Sequence, residues 1–156
     1  MPRITPDLAN ATASIPLLDK DSYTFLLGEK KPFCRKNDDG KLVYGVLYTI
    51  TDKNNPAVRL PYSVYLHGEA ESLGYSLQFL MAASGFDPKD KTAEREFKAQ
   101  YGESYWLDVD EDNLVITECG ELFDKLSGGM AAADIDMKPN KKTGDMQNTF
   151  KWRPAV

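Results

Sequence analysis

The run Leu42 to Thr51, LVYGVLYTIT, limits what this chain can fold into more than any other stretch. β-Branched and aromatic residues occupy both alternating faces, so a strand here has no polar side to give to water. It needs partners on both edges and belongs in the middle of a sheet. Before it stands Asn37-Asp38-Asp39-Gly40. An Asp-Gly pair between two β-rich runs predicts a hairpin, because glycine tolerates the positive φ of the turn. The first arm of that hairpin is Tyr23 to Leu27, ending at Gly28 and resuming through Phe33 after the break at Pro32. Gly45 reads as a bulge or coil point within the central run. After the turn Asp52 to Pro56, Val58 to Leu66 forms a third strand, with Pro61 suited to an edge or bulge.

Beyond Gly68 the apolar spacing becomes helical. Leu73, Leu77, Leu80 and Met81 share one face of a helix over 72–84 that Gly85 terminates. A second helix starts at Thr92 as N-cap, carries Phe97 and Tyr101 one turn apart, and stops at Gly102. Tyr105 to Val109 and Leu114 to Thr117 read as short strands around an acidic turn, and Leu122 to Gly129 returns the chain to the sheet. Met130 to Met137 alternates with period two, and Met146 to Arg153 is the last strand. The expected fold is mainly β: an OB-like five-stranded antiparallel barrel with a helical insert between the third and fourth main strands. Residues 1–17, with three prolines, form an N-terminal arm; 18–156 form one domain whose acidic insert covers about 69–126.

A chain of 156 residues that is 42% hydrophobic is too apolar to be disordered. No run approaches the roughly 18 apolar residues of a membrane span, so no membrane partner and a cytoplasmic location, the host cytoplasm for a viral protein, are expected. Cys34 and Cys119 read as reduced thiols. The single histidine, His67, leaves no multi-histidine metal site and reads as a strand-end or loop residue. Asp108 to Asn113 imitates the start of a calcium loop. It departs at Asn113, where the loop needs glycine, and at Cys119, where it needs glutamate. With no phosphate loop, dinucleotide fingerprint or nucleophile elbow, neither an enzyme nor a cofactor is expected.

The net charge of −5 conceals an asymmetry. Residues 20–60 carry eight basic and five acidic side chains, 61–126 five against fourteen, and 127–156 five against three. Two basic segments flank an acidic middle. In a barrel of this order the ligand meets the second and third strands and the turns after the first and fourth. Lys30, Lys31, Arg35, Lys36 and Lys41 surround the first of those turns; Lys138, Lys141 and Lys142 occupy the second. Arg59, Lys151 and Arg153 add charge on neighbouring strands. The rings expected beside them are Phe33, Tyr44, Tyr48, Tyr65 and Trp152, because bases stack on aromatic side chains for about 1–3 kcal/mol each while cations neutralise phosphates. For the basic flanks to act together, both turns must meet around one ring-lined groove, with the acidic segment outside it.

Three stretches together resemble small phage-encoded single-stranded-DNA-binding proteins of OB type: Leu17-Leu18-Asp19-Lys20-Asp21-Ser22-Tyr23, the Lys-rich hairpin at 30–41, and the ending from Leu126-Ser127-Gly128-Gly129 to Thr143-Gly144-Asp145-Met146-Gln147-Asn148-Thr149-Phe150-Lys151-Trp152-Arg153-Pro154-Ala155. The resemblance implies protection of single strands in replication or recombination, weak sequence preference and no catalysis. RNA in place of DNA, a homo-oligomer, and replication or recombination proteins stay open as partners. Two other classes also stay open: a viral structural or assembly protein, and an inhibitor whose acidic middle imitates DNA.

Overall fold

Strand β3 (Leu42–Asp52) lies at the centre of an antiparallel sheet, with partners on both edges. On one side β4 (Asn55–Tyr65) pairs with it from Tyr65 opposite Gly45 to Asn55 opposite Asp52. Along the other side run two strands in succession, β2 (Lys31–Lys36) opposite Leu42 to Leu47, then β1 (Asp21–Leu27) opposite Ile50 to Asp52. Strand β7 (Met130–Pro139) pairs with β1, and β8 (Met146–Arg153) with β7. The structure, a computed structural model, describes residues 17–66 and 70–155; nearly all of the expected N-terminal arm, and His67, lie outside the described residues. The protein is mainly β, with three helices among the described residues. No helix there is long and apolar enough to cross a membrane.

Every neighbouring pair in this sheet is antiparallel, so the two end strands, β4 and β8, both run in the direction of β1. They do not pair with each other among the described residues, and the expected ring of strand hydrogen bonds is not completed there. What joins them is side chains. The Trp152 indole N–H donates to the Tyr62 hydroxyl at 2.9 Å, and the Tyr62 ring stands edge-on to Phe150 and Trp152 at 5.4 and 5.0 Å.

Alternation divides the sheet into two faces. Val46, Tyr48 and Ile50 of β3 point inward with Phe25, Leu27, Val64, Ala131, Ala133, Ile135 and Trp152. Helix α1 (Ala70–Ala83) packs on this side; its Phe79 ring lies 4.8 Å from both Tyr62 and Trp152 and 6.0 Å from Tyr48. Gly85, at φ 87°, follows the helix as expected. Helix α2 (Lys91–Tyr101) is capped by Asp90, two residues before the expected Thr92, through bonds from the backbone N–H groups of Thr92 and Ala93. The hairpin β5 (Leu107–Asp110) and β6 (Val115–Cys119) follows. Where a direct return to the sheet was expected, the chain instead forms a third helix, α3 (Glu121–Leu126), which buries Leu122, Phe123 and Leu126.

Gly45 is not a bulge. The register shift of β3 falls between Thr51 and Asp52, and Gly45 sits where β4 passes so closely that a Cβ would stand 2.1 Å from the Val64 carbonyl oxygen. Backbone cannot yield as a side chain does. Gly45→Ala should therefore cost about 1–3 kcal/mol, the range for forcing extra atoms into packed structure. Urea unfolding would show this as a lower midpoint at unchanged slope; an unchanged midpoint would mean the strands separate freely at this position.

Candidate nucleic-acid interface

The outer face of β2, β3 and β4 follows from the same alternation. Phe33, Gly45 and Tyr65 stand opposite one another across the three strands. With no side chain between them, the Phe33 and Tyr65 rings reach over the glycine and meet edge to face, centroids 5.9 Å apart at 87°. Lys31 and Arg35 are two residues to either side of Phe33 in β2, so they share its face. Arg59 occupies the same face of β4. All three cations are exposed, and among the described residues none has an acidic partner. A ring pair beside such cations suits a ligand that offers planar faces and negative charge.

Other expected contact residues are distributed differently. Lys36 and Lys41 bracket the first turn, where the Asn37 side chain accepts from the N–H groups of Asp39 and Lys41 and Gly40 takes φ 76°. Lys141 and Lys142 are in the second turn, organised by Asn140, and Lys138 pairs with Gln147 at the end of β7. The two turns do not converge. The first follows Lys36 at the far end of β2, whereas the second lies beyond the pairing of Ile135 with Asp21 at the start of β1. They therefore project from opposite ends of the bent β1–β2 path, and the single groove joining them is replaced by the outer face between.

Several expected contacts are turned inward or already engaged. Tyr48 is fully buried and donates its hydroxyl proton to the Phe123 carbonyl at 2.8 Å; Trp152 is 2% exposed within the ring cluster. Neither ring is offered to a ligand. Tyr44 is half-buried and shares the inward parity of Tyr48. Lys30 bridges the insert, 2.6 Å from Asp124 and 3.0 Å from the Cys119 sulfur, and those partners hold its ammonium above the usual lysine range. Arg153 is committed to Asp134, whose carboxyl is held low first by the Ser22 hydroxyl and then by that guanidinium. Lys151, opposite Asp134, stays exposed on β8.

The acidic hairpin lies along the free edge of β2. Lys30 and Pro32 face Ile116 to Cys119 across a pocket of about 310 Å³. Burial, with a contribution from nearby Glu111, raises the Cys34 thiol. At the hairpin turn, the Asp110 carboxylate accepts from the Asn113 side chain and from the N–H groups of Asn113 and Asp112. Those bonds hold its carboxyl below the usual range. Its oxygens are thus occupied by the turn itself.

A larger cleft opens on the other side, between the end strands. It has a volume of about 630 Å³, with Pro61, Tyr62, Ser63 and Tyr65 on one wall, Gln147 to Phe150 on the other, and Tyr75 and Ser76 of α1 between them. Nothing in the sequence pattern pointed to Ser63, Tyr75 and Gln147; Tyr65 was expected as a contact ring. The chain matches no family model and no curated protein sequence.

Burial raises the phenols of Tyr62 and Tyr105 from 10.0 to about 12, each mainly by desolvation. The unfolded chain releases these protons near 10, whereas the folded chain retains them. Their contribution to stability is full below pH 10 and is lost as the pH rises from 10 through 12. An ultraviolet phenolate titration should show at least three late protons, those of Tyr62 and Tyr105 and that of the fully buried Tyr48, which burial also raises, and their release coincides with loss of fold; titration of every tyrosine near 10 with the fold intact would contradict the burial.

Proposed function

We propose that the chain binds single-stranded DNA across the outer face of β2, β3 and β4, on an OB-like barrel left open between β4 and β8. The observation that carries this reading is the Phe33–Tyr65 ring pair meeting over Gly45, beside Lys31, Arg35 and Arg59. Rings of this kind stack on any base, but a base inside a duplex has both faces covered. Single strands are therefore the form that fits. These three cations, without acidic partners among the described residues, supply the phosphate contacts, and contacts of this kind carry no base preference. The acidic hairpin along β2 repels a polyanion there, which directs the strand toward β4. Such binding protects single strands in replication or recombination, requires no catalytic group, and fits the resemblance of the two ends of the chain to phage proteins.

The test is anisotropy of labelled single- and double-stranded oligonucleotides across a salt series. Single strands should bind more tightly than duplex, and affinity should fall steeply as salt rises. Phe33→Ala and Tyr65→Ala should each cost about 1–3 kcal/mol at every salt concentration. Arg35→Gln should instead flatten the salt dependence by about 0.7 in the logarithmic slope for each phosphate it leaves without a counter-charge. Absence of single-strand binding, or equal binding of duplex, would end this reading and return the assembly and DNA-mimic classes to the front.

A further inference from the structure

We infer that the cleft between β4 and β8 is a pocket for one planar, uncharged heterocycle of the nucleobase type, entered from the outer face beside Tyr65. Its volume of about 630 Å³ falls within the roughly 300–1,000 Å³ usual for ligand pockets. Four rings line it: Tyr62, Tyr65, Tyr75 and Phe150. Among the described residues no lysine, arginine, aspartate or glutamate does. A phosphate or carboxylate would lose its water there without gaining a counter-charge, whereas a neutral ring loses little and gains stacking.

The polar groups narrow the class further. Gln147 accepts from the Asn140 amide through its side-chain oxygen at 3.1 Å, which leaves its amide nitrogen as a donor. Tyr62 accepts from the Trp152 indole, which leaves its hydroxyl proton to give. Asn148 is occupied on both atoms by the Leu18 backbone and acts as wall. These two donors, with the Ser63 and Thr149 hydroxyls on the same walls, suit the ring nitrogens and exocyclic carbonyls that nucleobases present at their edges.

The obvious competitor is an extended peptide added to the free edge of β4, but that edge is blunted. Pro61 has no N–H, the Tyr65 N–H is bound by the Ser76 hydroxyl at 2.9 Å, and the Tyr65 carbonyl accepts from the Tyr105 hydroxyl. Tyr65 also belongs to the outer-face ring pair, so a strand leaving Phe33 and Tyr65 has its next base at the mouth of the cleft. The source of the base rests on the single-strand reading; the pocket itself does not.

Two probes test it on the full chain: a short labelled oligonucleotide, intact or with an abasic site at each position in turn, and free adenosine followed by saturation-transfer NMR. For the unaltered protein, one abasic position should cost about tenfold in affinity, the loss of one stacked base. Ser63→Trp, which fills the cleft, and Tyr75→Ala, which removes a ring that is 49% exposed, should bind the intact strand about tenfold more weakly and no longer sense that position. Phe33→Ala should weaken binding but still sense it. Should Ser63→Trp fail to fold, Tyr75→Ala carries the comparison. If both cleft variants sense the abasic site as the unaltered protein does, or no position matters and adenosine gives no signal, the pocket is overturned while the outer-face reading stands. If no oligonucleotide binds at all, the single-strand reading fails and adenosine decides: a signal lost in Tyr75→Ala keeps the cleft as a free-nucleoside site, and no signal overturns it.

Discussion

The arrangement of the molecule depends on how its two end strands are held together. β4 and β8 run parallel without a shared ladder among the described residues, and joining them falls to Tyr62, Phe150, Trp152 and the Phe79 ring driven between them by α1. Edge-to-face ring pairs contribute about 0.5–1.5 kcal/mol each beyond their burial. The hydrogen bond from Trp152 to Tyr62 adds direction, because a buried indole N–H and phenol must find partners. Removing the wedge would leave a sheet with two loose ends and no cleft.

The same alternation that builds the core builds the outer face. Once Val46, Tyr48 and Ile50 point inward, Gly45 falls on the outward parity, where the β4 backbone passes too close for a side chain and rings from β2 and β4 meet across it. Charge is then sorted by edge. Lys31, Arg35 and Arg59 stay without acidic partners among the described residues of that face, while Lys30 is spent anchoring the acidic insert through Asp124. A chain of net charge −5 thereby keeps a cationic surface.

Much of this was legible from residues alone. The central strand, the Asp-Gly hairpin, the helix ended by Gly85 and the alternating β7 follow from local preferences that tertiary packing did not oppose. Direction was not legible. Tyr44 and Tyr48, both expected beside the ligand, fall on the inward face of β3, where α1 and α3 cover Tyr48 and the Phe123 carbonyl takes its hydroxyl from 75 positions away. Helix α3 itself has six residues and no side-chain cap, too short for a periodic signal and without a start marker. Asp90 and Thr92 are both good caps, and the choice between them falls within the usual uncertainty of a helix boundary. The basic turns were read correctly as turns, yet composition carries no register, and register is what sends them to opposite ends of β1 and β2.

Where main-chain ladders hold strands, their spacing is dictated by the peptide group at about 4.8 Å and no substitution alters it. The gap between β4 and β8 escapes that dictation, since it is set by the girth of the residues bridging it. Exchange of one such residue for a slimmer or bulkier one would retune the aperture while the rest of the scaffold stayed as it is. This seam is therefore the part of the architecture most open to being refitted, over evolutionary time, for a guest of another shape.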